Sequence, residues 1–245
     1  MHLFHLIVTS WVHLDDPLEG LKGGGMIPVL HSETRPLRPL PESWVLRSRR
    51  TEDIPGVIEL MQRVYVEPHG PEAVWPAETL KRHLEVFPEG QLLILDGQGR
   101  VIADSTSMLV SAERAMRPHR WSEITERGTL SSHDPKGDAF YGVDLAVDPE
   151  FQCIGLAHIL YAARIALAID KGCKVFVAGA RIPGYHLASD LLNAESYLAL
   201  VERGLIFDPT LSKQLRLGFQ LYGLLPNYIS DPESKDCAAL ICMEL

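Results

Sequence analysis

The chain has 245 residues, 46% of them hydrophobic and 22% charged, with a formal net charge of −9. That is enough apolar material to bury the core of one ordinary globular domain, and the charge argues against nucleic acid or an anionic membrane surface as the main partner. Four cysteines, Cys153, Cys173, Cys237 and Cys242, form no Cys-x-x-Cys pair, and the ten histidines form no zinc-spaced cluster, so the reading is a cytoplasmic protein with reduced thiols and no metal.

Residues 1–14 are apolar, yet no Lys or Arg precedes the hydrophobic part and the stretch is too short to span a bilayer. Residues 15–43 carry Gly23-Gly24-Gly25 and five prolines between Pro17 and Pro41, the composition of a poorly ordered lead-in. No Gly-Lys-Ser/Thr follows the glycines, which excludes a phosphate-binding loop there, and Met26 directly after them is an alternative native start. The expected organisation is an N-terminal extension over 1–43 and one domain over 44–245.

Within that domain, Trp44 to Arg47 reads as a first strand, followed by a helix from Ile54 to about Val64 with Val57, Leu60, Met61 and Val64 as its apolar stripe. A second helix starts at Pro76 and ends at Pro88-Glu89-Gly90. Gln91 to Leu95 and Val101 to Val110 form a hairpin about Asp96-Gly97-Gln98-Gly99. Residues 111–137 make a polar insertion with a short helix; its Arg114, Arg117 and Arg120 suit a solvated face, or a cover over a pocket.

The sharpest change of pattern lies at Tyr141 to Arg164, YGVDLAVDPEFQCIGLAHILYAAR. Val143, Leu145 and Val147 alternate with Asp144, Ala146 and Asp148 as in a strand, whereas from Leu156 the apolar positions recur at helical spacing. Between them Gln152, Gly155 and Ala157 form Gln-x-x-Gly-x-Ala, where small residues let the N–H groups of a helix N-terminus approach an anion closely, which favours a pyrophosphate. Lys174 to Ala178 is the next strand, and the helix between makes the two strands parallel in a sheet that is otherwise antiparallel. A helix over about Ala188 to Arg203 ends at Gly204, and Leu215 to Leu224 and Ala238 to Glu244 close the sheet across a turn at Pro226-Asn227 and Asp231-Pro232.

A strand followed by this loop resembles the central motif of the GNAT acyltransferase superfamily, and residues 179–231 resemble the distal half of a branch associated with carbon-nitrogen hydrolase domains; the resemblance covers 44–245. It implies an α/β fold: a mixed, mostly antiparallel central sheet, helices on both faces, and a parallel strand pair that splays near the loop to admit pantetheine. It also implies acetyl-CoA or another acyl-CoA as co-substrate, with two early helices flanking an acceptor site. By position it implicates the backbones of Leu145, Ala146 and Val147 with pantetheine, and Gln152, Cys153, Ile154, Gly155, Leu156 and Ala157 with pyrophosphate. Cys153, near a helix N-terminus, is read as structural rather than reactive.

The family spacing Asn-x6-Tyr-x3-Gly falls on Asn193, Leu200 and Gly204. Asn193 takes the cofactor-side amide, but leucine stands where the acidic phenol belongs. Tyr197, one helical turn earlier, is the leading substitute acid. Asp144 is the leading general base, with Tyr141 and Glu195 as alternatives; Arg181, Tyr185, Asn227 and Tyr228 are candidates for the acceptor side. The expected activity is transfer of an acetyl or short acyl group to a primary amine, on a small molecule or a protein, with a carbon-nitrogen hydrolase as a possible partner. The rival is a non-catalytic CoA-binding sensor or regulatory module.

Overall fold

The computed structural model describes residues 39–245; the expectations for residues 1–38, including the apolar opening and the start at Met26, lie outside the described residues. In chain order the elements are β1 (Val45–Ser48), α1 (Ile54–His69), α2 (Ala77–Val86), β2 (Gln91–Leu95), β3 (Val101–Val110), α3 (Ala112–Met116), α4 (Trp121–Ile124) and β4 (Ala139–Val147). Then follow α5 (Leu156–Asp170), β5 (Val175–Arg181), α6 (Ala194–Glu202), α7 (Leu211–Arg216), β6 (Gln220–Leu225) and β7 (Ala238–Glu244). The strand order is β1-β2-β3-β4-β5-β7-β6. The β1–β2, β2–β3, β5–β7 and β6–β7 pairs are antiparallel and β4–β5 is parallel, so the sheet is mixed and mostly antiparallel, as the sequence indicates. Its one parallel pair follows from α5, which carries the chain from the end of one strand back to the start of the next. That ladder runs from Ala139↔Val175 to Gly142↔Ala178 and stops there, whereas β4 continues to Val147 and β5 to Arg181.

Two compact units divide the described residues: the first comprises residues 39–107 together with 144–171, the second residues 108–143 and 172–245. In the first unit, alternation along β2 sends neighbouring side chains to opposite faces. Leu93 packs with Val101, Ala146 and the α1 residues Val57, Leu60 and Met61. Leu92 and Ile94 pack instead with the α5 residues Leu156, Ile159, Leu160 and Ala163. Helices therefore cover both faces here.

The end of β4 is tied down by Asp148, whose side chain is fully buried. Its Oδ2 accepts from Arg63 Nε and Arg100 Nη2, both at 2.7 Å, its Oδ1 accepts from the Glu150 N–H at 3.0 Å, and its own N–H donates to the Ile102 carbonyl at 2.9 Å. Pro149 follows at the first position of a single 3₁₀ turn, where its fixed φ fits and its missing N–H costs nothing.

In the second unit, Phe140, Phe176 and Phe219 meet edge to face at 5.0 and 5.1 Å around β7, which is buried from Ala238 to Met243. Two expected elements differ here. The helix expected from Ala188 begins only at Ala194, where Asn193 caps it after the 3₁₀ turn Pro183–Leu187. The strand expected from Leu215 begins at Gln220, because Asp208 Oδ1 accepts from the Thr210 and Leu211 N–H groups and starts α7, and Gly218, at φ +102°, ends it. The 111–137 insertion holds two short helices, α3 and α4, rather than one.

Burial opposes ionisation of Asp148, but the Glu150 N–H, Arg63 and Arg100 more than offset it and hold the carboxyl below its ordinary 3.8. A depressed carboxylate stabilises the fold above its unfolded pKa and loses that contribution as pH falls through the folded value. Asp148→Asn should lower stability at pH 7 by about 2 kcal/mol, and its deficit should shrink as pH falls below about 4. Urea midpoints at neutral and acid pH check both.

Candidate functional site

The strand-to-helix corner has the features that the sequence motif calls for. Gly155 is the residue before α5, at φ +101°, a left-handed value that side chains with a Cβ rarely adopt. A Cβ built there would meet nothing within 4 Å, so the glycine answers a backbone requirement and the space beside it is open. Cys153 also has positive φ, at 62°, and Gln152, Cys153 and Ile154 are exposed. Gln152 Nε2 donates to the Val147 carbonyl at 3.3 Å, bracing the loop. The opening N–H groups of a helix have no intrahelical acceptor, and with the positive end of a 15-residue helix dipole they suit an anion. Leu156 is buried and Ala157 half-buried; on the preceding strand Ala146 is buried, and Leu145 and Val147 half-buried.

Asp144 lies in the same unit, half-buried on β4, and accepts from the Tyr65 hydroxyl of α1 at 2.7 Å. Burial raises its pKa to about 6, against the lowering effect of Tyr65, and Asp104 raises it further while Arg164 and Arg49 oppose. These neighbours come from a run of buried polar residues in β3, Asp104 to Ser107. Arg49 grips Asp104 with two bonds, at 3.1 and 2.5 Å, and reaches the Thr106 hydroxyl at 3.2 Å. Arg164 of α5, also buried, donates to the Ser107 hydroxyl at 3.0 Å. A carboxylate with a pKa near 6 is ionised at neutral pH yet basic enough to take a proton. Sequence reading missed Tyr65, Arg49 and Asp104. The available signal was Asp-Ser-Thr-Ser inside an otherwise apolar strand, since buried polar groups require partners.

The second unit holds the other candidates. Asn193 Oδ1 caps α6 by accepting from the Ser196 N–H at 2.8 Å, which leaves its amide NH₂ for a ligand. Tyr197 is 1% exposed, and its hydroxyl donates to Asp208 Oδ2 at 2.9 Å. That oxygen also accepts from the Gly184 N–H. Burial, then the Asp208 carboxylate, pushes the phenol well above its ordinary 10, because a phenolate there would face a carboxylate. The geometry thus argues against Tyr197 as the stand-in for the absent phenol. Leu200 is half-buried, and its carbonyl accepts from Leu205 and Ile206.

Among the alternatives, Glu195 is exposed at the first turn of α6, and Arg181 is held by Asp231 at 2.6 and 2.9 Å and by Glu233 at 2.9 Å. Tyr185 donates to the Leu192 carbonyl at 3.2 Å, and Asn227 sits in a turn at φ 51°. Tyr141 and Tyr228 are buried and bonded to each other. Among the described residues no cluster of His, Cys, Asp and Glu is arranged to hold a metal ion, and no helix is long and apolar enough to cross a membrane.

No protein-family model matches the chain. Two Bacillus subtilis proteins are similar to it. "Probable hydrolase YhcX" is 35% identical over 202 residues, which are 82% of this chain but only 38% of that protein. "Uncharacterized N-acetyltransferase YkwB" is 31% identical over 200 residues, covering 82% of this chain and 88% of that protein. Among solved structures, the GphF GNAT-like decarboxylase in complex with isobutyryl-CoA superposes with a TM-score of 0.66 over 81% of this chain and 98% of its own, at 19% identity, a likeness of fold. Given the sheet order, the loop and a 31% identical N-acetyltransferase matched over most of its length, the chain belongs to the GNAT N-acetyltransferase superfamily.

Proposed function

We propose that the protein transfers an acetyl or other short acyl group from acyl-CoA to a primary amine by direct attack, with residues 44–245 as the acyltransferase region. The observation that carries this reading is the corner between β4 and α5: a buried carboxylate ends the strand and a left-handed Gly155 opens the helix. The loop backbone from Gln152 to Ala157 is assigned to pyrophosphate, the backbone of Leu145, Ala146 and Val147 to pantetheine, and the Asn193 amide to the cofactor side. Asp144 is assigned as general base. Its environment supports this, since Tyr65 orients one oxygen and burial keeps the carboxyl basic. No covalent enzyme intermediate is needed, because holding amine and thioester together supplies much of the rate. The acceptor is an amine on a small molecule or a protein, and the protein acts in the cytoplasm. The likeness to YhcX, in which this chain spans 38% of a probable hydrolase, supports a hydrolase as a partner, and the motif resemblance assigns it to the carbon-nitrogen class.

A second reading, a CoA-binding sensor without catalysis, is favoured by one observation: Leu200 replaces the phenol, and the nearby Tyr197 hydroxyl is committed to Asp208. Incubation with acetyl-CoA and a panel of amines separates the two. Amine-dependent release of free thiol is the expected result, and tight CoA binding without it would establish the sensor.

CoA and acetyl-CoA should raise the melting temperature, by the equivalent of about 2.7 kcal/mol at a hundredfold excess over Kd, and NAD and ATP should do markedly less. Gly155→Val should weaken this shift through backbone strain while the fold survives.

Asp144→Asn should lower kcat/KM about a hundredfold or more and remove an acid limb near the wild-type value of about 6. The same substitution should raise the melting temperature at pH 8 but not at pH 4. A carboxyl raised in the folded state favours folding below its unfolded pKa of 3.8 and loses that contribution as pH rises through about 6.

Tyr197→Phe should reduce stability by about 1–3 kcal/mol, because Asp208 loses a buried donor, and should leave turnover within about twofold of wild type. Chemical denaturation and thiol release on the same sample read both.

A further inference from the structure

A line of three hydrogen-bonding side chains in the second unit is unused by the assignments above. His119, in the turn between α3 and α4, has Nδ1 2.7 Å from the Arg117 carbonyl and Nε2 2.7 Å from the Tyr141 hydroxyl. The Tyr141 oxygen is 2.9 Å from that of Tyr228. The carbonyl can only accept, so Nδ1 carries the hydrogen and Nε2 of the neutral ring accepts from Tyr141, which in turn accepts from Tyr228. All three donors thus point one way, from Tyr228 toward His119.

Each end of the line is fixed by its surroundings. Tyr228 donates its N–H to the Asp236 carbonyl at 2.7 Å and accepts the Trp121 N–H at 2.8 Å, and its ring lies so close to Gly179 that a Cβ there would come within 2.2 Å of it. Gly179 is the first β5 residue past the last parallel pair, Gly142↔Ala178, so the inner end of the line lies where the two strands cease to pair. At the outer end His119 lines a cavity of about 340 Å³ with Ser111, Arg114, Arg117 and Glu123.

We propose that Tyr228, Tyr141 and His119 form a proton relay that carries a proton from the ammonium form of the acceptor to the cavity beside His119. This rests on the acyl-transfer reading, and the chemistry of that reading calls for such a path. An acceptor that arrives as an ammonium ion loses two protons when its nitrogen becomes an amide, and only one of them is retained, on the departing thiol. The other must leave. In the relay the ammonium N–H bond breaks and its proton goes to the Tyr228 oxygen, as the Tyr228 proton passes to Tyr141 and the Tyr141 proton to His119 Nε2. Ammonium plus neutral imidazole becomes amine plus imidazolium, and no phenolate is formed. The imidazolium then releases its proton to water in the cavity.

Before transfer, burial holds both phenols protonated and the His119 ring neutral, its pKa below the ordinary 6.5, so that Nε2 stands as an acceptor. The charged groups around the ring are Glu113, Arg114 and Arg117 on the α3 side and Glu123 on α4, with the phenols of Tyr141 and Tyr228 facing it from the interior. Tyr141 and His119 act through Tyr228 rather than on the acceptor itself.

The test is chemical rescue. His119→Ala should lower kcat about tenfold near neutral pH, with the CoA-induced rise in melting temperature unchanged, and millimolar imidazole should restore most of the loss by entering the enlarged cavity. His119→Gln, which keeps a hydrogen-bonding atom but cannot titrate, should be equally slow and unresponsive to imidazole. Full turnover by the alanine variant, or a loss that imidazole leaves in place while CoA still binds, would overturn the relay. If the wild-type protein binds CoA but releases no thiol with any amine, the acyl-transfer reading fails instead. Nitrogen-15 NMR of the histidines then judges the line by itself: His119 should be the Nδ1–H tautomer with a pKa that moves in Tyr141→Phe. A pKa indifferent to that substitution would refute the coupling.

Discussion

The corner between β4 and α5 depends on one buried carboxylate. A strand that must give way to a helix leaves backbone groups without partners, and Asp148 resolves this at the end of β4. Its backbone N–H joins β3 at Ile102, its side chain caps the following turn at Glu150, and two arginines balance its charge. Only with the chain so anchored does the short run through Gln152 reach Gly155 at a conformation that glycine tolerates. The arginines come from α1 and from the residue just before β3, so the loop's position is referred to both. The corner is therefore built on electrostatics one step away from the helix N-terminus.

Four residues earlier on the same strand, a second aspartate has the opposite environment. Asp148 meets two cations and a backbone donor and is held ionised. Asp144 meets one phenol, lies half-buried, and has the Asp104 carboxylate among its neighbours, which raises its pKa to about 6. Two identical side chains are separated in proton affinity by their surroundings, so that one stretch of chain holds both an anchor and the carboxyl proposed as base. The Arg49–Asp104 pair is part of that arrangement. It places a negative and a positive charge near Asp144, so their effects on the carboxyl oppose each other, and desolvation is the principal cause of the shift.

The backbone plan was legible in the sequence because it rests on local signals. Alternation over 143–148, helical spacing from Leu156 and the Asp96-Gly97 turn each mark an element that the structure contains, and β2, β3 and β7 fall where the pattern puts them. The strand expected at Leu215 went astray because its apolar residues suit a short helix equally well, and the deciding contact, Asp208 with the Thr210 and Leu211 N–H groups, involves a cap rather than hydrophobicity. The candidate site was legible only in its loop. Tyr65 and Asp144 are 79 residues apart and Tyr141 and Tyr228 are 87 apart. No spacing rule spans such separations. Composition gives the residue types, but the partner of each polar group is fixed by how the strands are ordered.

The tyrosines show why the partner matters more than the residue. Tyr197 and Tyr141 are both buried phenols with raised proton affinity, and by residue type they are equally suited to proton chemistry. Tyr197 gives its hydrogen to a carboxylate that already accepts the backbone N–H groups of Gly184, Thr210 and Leu211. The Asp208 oxygens are taken up by those donors, and the carboxylate raises the cost of ionising the phenol beside it, so the hydroxyl serves as a fixed brace. Tyr141 gives its hydrogen to an imidazole nitrogen and can accept one from Tyr228 at the same moment. A proton can leave that phenol only as another arrives, and the neutral imidazole at the far end has a ring nitrogen to receive it. A phenol can relay protons where its acceptor titrates and its own oxygen is resupplied, and in this chain those two conditions are met at Tyr141, not at the helix position where the family motif leads one to look.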